Sequence, residues 1–286
     1  MWRSTYSYRG SNKHKRRTPR IGAGHRILRS PHFKSAVLFG VSILVAVAAL
    51  VPTIWKGSET LDGYHCSKSR LPQQTVGILL DATDGREFAS TVKEKLLQAV
   101  ESYRDTLGEG DRLSIFLLGS DAPGQEGKLY RIFSACKPGD PDKASQVNHG
   151  RKYVQRQYQR IWAEPLQASL EAIERRPHVE SSTTPLMMSI KTLSARELVS
   201  QGSRTLLVMS DLLENSDHVS FYAPRCPDFT RTKNAGYDIA NVSNILANAR
   251  VTVWQLPQPA TTTQCIGKFW ADYMREAGAR YESTAL

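Results

Sequence analysis

The chain has 286 residues, with 38 Lys+Arg against 27 Asp+Glu and a formal net charge of +11. Apolar residues at 40% and charged residues at 23% sit near globular averages, which excludes wholesale disorder and a multispanning membrane protein. Fourteen Pro and nineteen Gly exclude a collagen-like or low-complexity architecture.

The positive charge is concentrated at one end. Residues 1–35 hold ten cations (Arg3, Arg9, Lys13, Lys15, Arg16, Arg17, Arg20, Arg26, Arg29 and Lys34) and no acid, which leaves +1 for residues 36–286. Such an arm has too little apolar periodicity to bury a core, so residues 1–34 are expected to be disordered or bound to a surface. Next comes Ser35–Trp55, SAVLFGVSILVAVAALVPTIW, 21 residues without a charge. A helix rising 1.5 Å per residue needs about 20 residues to cross a bilayer core, so this run predicts one transmembrane helix. Trp55 suits the interfacial aromatic belt, and Pro52 falls in the last turn. Cleavage as a signal peptide is the rival reading, given small residues such as Ala46 and Ala48. The long basic region and long apolar run favour an uncleaved signal anchor.

Lys/Arg asymmetry sets the orientation. Ten cations precede the span, and only Lys56, Lys68 and Arg70 follow it closely. The N-terminus is therefore expected in the cytoplasm and the C-terminal part on the periplasmic or extracytoplasmic side of the inner membrane, as a single-pass protein. The arm then serves orientation and attraction to anionic lipid, and nucleic-acid binding is disfavoured. All four cysteines, Cys66, Cys136, Cys226 and Cys265, follow the span, which fits two disulfides in an oxidising compartment. Three pairings are open, and buried free thiols are the alternative. No Cys/His spacing suggests zinc.

Residues 56–74 are polar and turn-rich and read as a linker. The apolar run TVGILLDATD then predicts a strand buried on both faces and ending in acid. Glu87–Leu107 carries Phe88, Val92, Leu96, Leu97, Val100 and Tyr103 at helical spacing before Gly108. Arg112–Leu118 and Lys128–Ser134 read as strands two and three, joined by the turn-rich GSDAPGQEG. From His149 to Arg176 the apolar spacing is helical, with Pro165 marking a kink or break. Pro185–Val199 reads as a helix with Thr184 at its N-cap and Pro185 at the first position. Thr205–Asp211 is strand four, followed by a loop of about 25 residues that contains Cys226. Tyr237–Ala249 reads as a helix, VTVWQLP as strand five, Ile266–Ala277 as a helix ending at Gly278, and Arg280–Glu282 as a short sixth strand. Alternating strands and helices predict an α/β fold with a mostly parallel sheet, whose ligands bind at the carboxyl ends of the strands.

Two strand ends carry acid: Asp81 and Asp84 in DATD, and Asp211 in MSD, with Glu214 further into the loop. On adjacent strands, Asp81, Asp84 and Asp211 would share a rim with Thr83 and Ser210. Crowded carboxylates with hydroxyls suit a hard divalent cation, Mg2+ ahead of Ca2+ or Mn2+. The alternative is that Asp81 and Asp211 merely cap turns and helix N-termini.

Asp81-x-Thr83 after a strand, Thr184 in TTPLMMSI and Asp211 in VMSDLLEN together resemble the von Willebrand factor A (vWA) domain and its metal-ion-dependent adhesion site. DATD and SDLLENS are also similar to single-span, membrane-anchored vWA-like proteins of bacteria. The resemblance covers about Thr75–Leu286 in element order. It implies a six-stranded sheet of order 3-2-1-4-5-6 with strand 3 antiparallel and helices on both faces, over residues 75–286. It implies metal ligation by Asp81, Thr83, Thr184 and Asp211, with Asp84, Gly85, Thr183 and Ser210 as outer positions and Thr183 as the substitute for Thr184. The family pattern is Asp-x-Ser-x-Ser, and its second serine falls on Gly85 here, which marks the site as degenerate. The implied sheet order also favours the disulfides Cys66–Cys136 and Cys226–Cys265, on opposite ends of the sheet.

Enzyme readings find little support. There is no G-x-G-x-x-G, no G-x-x-x-x-G-K-[ST] and no G-x-S-x-G, and no Ser or Cys has a paired base. The expectation is a non-enzyme: a membrane-tethered, exported vWA-like protein-interaction module with a divalent-ion-assisted face, meeting a protein partner that presents a carboxylate. The alternatives are a structural subunit of an envelope assembly with a non-functional ion site, and a metal-dependent hydrolase.

Overall fold

The computed structural model describes residues 61–84, 90–142, 150–176, 179–257 and 263–286. The basic arm, the apolar run 35–55 and Gly85 lie outside the described residues. Among the described residues no helix is long and apolar enough to cross a membrane.

Strand β1 (Gln74–Asp81) is buried over all but its first residue, as its unbroken apolar run requires. It lies at the centre of a six-stranded sheet of order β3-β2-β1-β4-β5-β6. Its neighbours β2 (Arg112–Gly119) and β4 (Ser203–Ser210) both run parallel to it. Beyond β4 follow the parallel strands β5 (Ala249–Gln255) and β6 (Arg280–Ala285), and β3 (Lys128–Cys136) pairs antiparallel with β2 at the other edge. This is the order and the strand direction that the family resemblance implies. The sixth strand is longer than expected, because its backbone stays paired with β5 as far as Ala285.

Alternate residues of the strands feed two cores. Val76, Ile78 and Leu80 pack beneath helix α1 (Ser90–Thr106) and helix α3 (Glu164–Arg175). Leu79, Val208, Val251 and Val253 face helix α4 (Leu186–Arg196) and helix α6 (Thr263–Glu276). Phe269, Trp270 and Tyr273 on α6 meet edge to face, with Phe229 closing the group.

The helical stretch around Pro165 does not break. Helix α2 (Arg151–Tyr158), a π-turn (Gln159–Ala163) and α3 follow without a gap. Pro165 lies inside this continuous helix and has no N–H to donate back, and the wider π-turn ahead of it accommodates the ring and the missing bond. The helix expected over Tyr237–Ala249 is absent. Only a 3-10 turn, Asp238–Ala240, forms there, because Asn244 and Asn248 adopt left-handed backbone with φ of 57° and 63°. The regular element of that region is the short helix α5 (Phe229–Asn234) instead, opened by Asp228, whose side chain accepts from the Arg231 N–H at 2.9 Å.

From residue 61 onward the polar segment ahead of β1 is tied down. The Asp62 carboxylate accepts from the N–H groups of Tyr64 and Cys66 at 2.8 and 2.9 Å. The guanidinium groups of Arg112 and Arg131 sit 4.8 and 4.7 Å from the Tyr64 ring centroid. Cys66 is bonded to Cys136 at the end of β3, and Cys226 to Cys265 in the first turn of α6, the two pairings expected. The first of these closes a span of 70 residues. By chain entropy, replacing both Cys66 and Cys136 with Ser should lower unfolding stability by about 4 kcal/mol in urea titrations, while a loss below about 1 kcal/mol would show that the cross-link restrains little of the unfolded chain.

Candidate functional site

The carboxyl ends of β1 and β4 lie side by side where the strand order reverses, the position at which open α/β sheets bind ligands. Asp81 ends β1 and Ser210 ends β4. Asp81 is 6% exposed. A buried carboxylate needs donors, and it has three. Its Oδ1 accepts from the Thr83 N–H at 3.1 Å and from Thr83 Oγ1 at 2.6 Å. Its Oδ2 accepts from Ser210 Oγ at 2.6 Å. Thr184 Oγ1, from the loop ahead of α4, donates to Thr83 Oγ1 at 2.8 Å. Four side chains from three chain segments thus form one buried polar chain. Burial raises the Asp81 carboxyl above its ordinary range, and the Ser210 and Thr83 hydroxyls pull it part of the way back.

Of the four residues expected to ligate a metal, Asp81, Thr83 and Thr184 come together. Asp211 turns to its own loop, where its carboxylate accepts from the Leu213 N–H at 3.0 Å. Ser210, expected as an outer position, bonds Asp81 directly. Asp84 pairs through its backbone with Glu180 on the exposed rim. Thr183 Oγ1 accepts from the Gly127 N–H at 3.2 Å, tying the β2–β3 loop to the loop of Thr184. A Cβ at position 127 would lie 2.8 Å from the Thr183 carbonyl oxygen, so this approach requires glycine.

Thr184 is not an N-cap. Pro185 precedes α4 with non-helical φ and ψ of −79° and 59°, and the Thr184 hydroxyl is committed to Thr83. The helix start is capped from elsewhere. Glu214, wholly buried, accepts from the Met187 N–H through Oε2 at 2.8 Å. Glu214 Oε1 is buried with no hydrogen-bond partner among the described residues. Burial pushes this carboxyl up from 4.5 to about 7, against the lowering pull of the helix-start N–H groups. Its neighbour Asn215 exchanges backbone bonds with Thr184 at 2.7 and 3.1 Å, fixing the threonine loop on the exit of β4. That exit turns through Leu212, at φ +65°. Three bonds hold this unfavourable conformation: Leu212 N–H to Ser210 Oγ, and Trp270 Nε1 and the Glu214 N–H to the Leu212 carbonyl. No local signal in the sequence marks Glu214 for this role, because Thr184-Pro185 itself reads as a capped helix start.

Chemically, one carboxylate and three hydroxyl oxygens suit a hard cation, and the under-compensated charge of Asp81 would gain from one. Among the described residues no group of three or more His, Cys, Asp or Glu side chains is placed to hold a metal. A cation here would therefore rest on Asp81, Thr83 and Thr184, with water and Asp211 completing the set after a turn of its side chain.

No protein-family model matches the chain, and no curated protein does. Solved structures similar to it include an aerotolerance-related membrane protein from Bacteroides fragilis carrying multiple mutations to serine, at 11% identity and a TM-score of 0.36 over 73% of this chain and 90% of that one. Another is the conserved hypothetical protein BatB from Bacteroides thetaiotaomicron, at 11% identity and a TM-score of 0.35 over 74% and 90%. A third is the VWA domain of SpRpn10, at 7% identity and a TM-score of 0.39 over 75% and 88%. The likeness is partial, and the fold is described by its own sheet order and strand directions.

The buried Glu214 makes a pH signature. Its folded-state pKa lies above the unfolded value, so the folded chain keeps a proton that the unfolded chain releases. Stability from this group is then full below about pH 4.5 and falls as pH rises towards 7. Glu214→Gln, uncharged throughout, should gain on the wild type by on the order of 3 kcal/mol between pH 5 and pH 8. Urea titrations at the two pH values check this, and parallel stability curves would mean that the carboxyl titrates normally.

Proposed function

We propose that this chain is a membrane-tethered, exported vWA-like interaction module, and that its binding face is the carboxyl end of the sheet around Asp81, Thr83 and Thr184. The observation that carries the reading is the junction Asp81–Thr83–Thr184. A carboxylate and two hydroxyls from two distant segments meet within 2.8 Å at the reversal point of the sheet. A loop hydroxyl with only a capping role would have bonded its own helix. Supporting it are the sheet order, the two disulfides suited to an oxidising compartment, and the charge asymmetry around residues 35–55. A bound Mg2+ would be held by Asp81, Thr83 and Thr184 and would offer a partner's carboxylate a coordination position.

One observation favours a second reading. Both oxygens of Asp81 are already hydrogen-bonded, so the network is coherent without a cation, as a structural subunit of an envelope assembly would need. Two measurements separate the possibilities. Under the ion-assisted reading, millimolar Mg2+ raises the melting temperature over that in EDTA, by about 2.7 kcal/mol of stability at a hundredfold excess over Kd. Asp81→Asn and Thr184→Val lose that increment. Equal melting of the wild type in Mg2+ and EDTA would leave the structural reading. For the topology, a reporter that fluoresces only in the cytoplasm, fused after Leu286, should stay dark in cells. Fluorescence from it would overturn the exported orientation.

A further inference from the structure

Helix α2 meets the cores only through its last residue, the half-buried Tyr158. None of its residues is buried, although it continues through the π-turn into α3, which is well packed. A helix from 151 to 175 is roughly 37 Å long, against roughly 26 Å for an eight-residue strand, so its first turns overhang the sheet. The overhang is at the end where β3 finishes and the chain arrives from its N-terminal side. There α2 borders a cleft of 900 Å³ whose lining includes Leu61, His65, Arg70, Leu71, Lys137 and Tyr153.

The overhang is basic. From Arg151 to Ala163 there are four cations, Arg151, Lys152, Arg156 and Arg160, and no acid. Arg151 pairs with Asp142 at 2.9 Å, and among the described residues Lys152, Arg156 and Arg160 make no salt bridge. Lys152 and Arg156 are one turn apart on the same helix face, with Arg160 a turn further. Like charges stacked in this way repel, and the chain gains from them only beside a counter-charge. Acids at this end include Asp105, Glu109, Asp140 and Asp142, which line the cleft and its neighbouring hollow, and Asp62 and Asp111, whose carboxylates are taken up by backbone N–H groups. Apolar side chains accompany the cations: Leu61 is 46% exposed, Leu71 48% and Tyr153 50%.

The length of the preceding chain says what lies opposite. This step rests on the tethered reading above. If the apolar run leaves the bilayer at Trp55, six residue steps lead to Leu61, and they span at most about 20 Å. The Asx turn of Asp62 and the Cys66–Cys136 bond fix the chain to this end of the sheet immediately afterwards. We propose that α2, with the exposed Leu61, Leu71 and Tyr153 beside it, rests on the anionic headgroups of the membrane that anchors the chain, and that the Asp81 face points away from that membrane. Each cation near an anionic surface strengthens the contact on the order of fivefold, so Lys152, Arg156 and Arg160 together supply on the order of a hundredfold.

The test reconstitutes the full chain in lipid nanodiscs of phosphatidylcholine alone and with 30% phosphatidylglycerol, followed by hydrogen exchange and mass spectrometry. Amides 151–160 should exchange several-fold more slowly in the anionic discs. The difference should vanish in the triple variant Lys152→Gln, Arg156→Gln, Arg160→Gln and in about 0.5 M salt. Unchanged exchange in β1 shows that the variant is folded, since all three substituted residues are exposed. Equal exchange of 151–160 in both lipids, with the chain still disc-bound, overturns the headgroup contact while leaving the tether intact. Protection seen only in native membranes, and not in anionic discs, overturns it in favour of a protein partner. Release of the chain from both kinds of disc by 1 M salt overturns the tether, and the proposal with it.

Discussion

The end of β1 places a carboxylate where water does not reach. Asp81 is buried at the meeting point of β1 and β4, and an ionised group there is tolerated only if donors converge on it. That requirement organises the surrounding loops. Thr83 folds back over its own strand end, Ser210 must finish the adjacent strand with its hydroxyl turned inward, and Thr184 must abandon the helix it precedes. Losing any one hydroxyl would leave a buried acceptor short of a bond, at a cost of about 1–3 kcal/mol.

Once Thr184 is committed to the site, the helix behind it has no local cap, and a second buried acid takes its place. Glu214 receives the Met187 N–H, and Asn215 clasps the Thr184 backbone. Reaching that position takes the sharp turn at Leu212, which is why a branched residue adopts left-handed backbone there. Trp270 and Tyr273 from α6 close over the turn, with Trp270 bonding Leu212 and the Tyr273 hydroxyl bonding the Met187 carbonyl. The tyrosine hydroxyl is itself pushed well above its ordinary range, by burial first and by the nearby Glu214 second. The candidate site and the packing of the domain share the same few residues, and the aromatic core on that face lies against the loop that caps α4.

What could be read from residues alone follows from how local each signal is. The strands TVGILLD and TLLVMSD declared themselves because burial on both faces demands an unbroken apolar run, and the end of such a run is a defined place in the fold. The sheet order and the pairing of Thr83 with Thr184 came through the family resemblance, since nothing in residues 75–84 alone says that residue 184 lies beside them. Periodicity misled over Tyr237–Ala249, where Ile239, Val242, Leu246 and Ala249 are all buried but from irregular backbone. Three asparagines in that stretch were the stronger cue, because their side chains stabilise turns and left-handed residues as readily as helix. Thr184-Pro185 misled in a similar way: the pair matches a helix start, yet a distant hydroxyl outbid the helix N–H. The inward turn of Ser210 and the caps supplied by Glu214 are tertiary facts with no local signature.

The bond between Cys66 and Cys136 also determines how force would travel. A tether pulling on the N-terminal side of residue 61 meets the folded domain at Cys66, and the cross-link passes the tension to the end of β3, an edge strand. Residues 67–73 separate that point from β1, and Pro72 and Gln73 are bonded to the backbone of residues 201–203 ahead of β4. Under the tethered reading, load between the anchor and anything held at the opposite end would enter through the margin of the sheet and spread across its backbone ladders. The central strand that ends in Asp81 would then share the load with its neighbours rather than bear it alone.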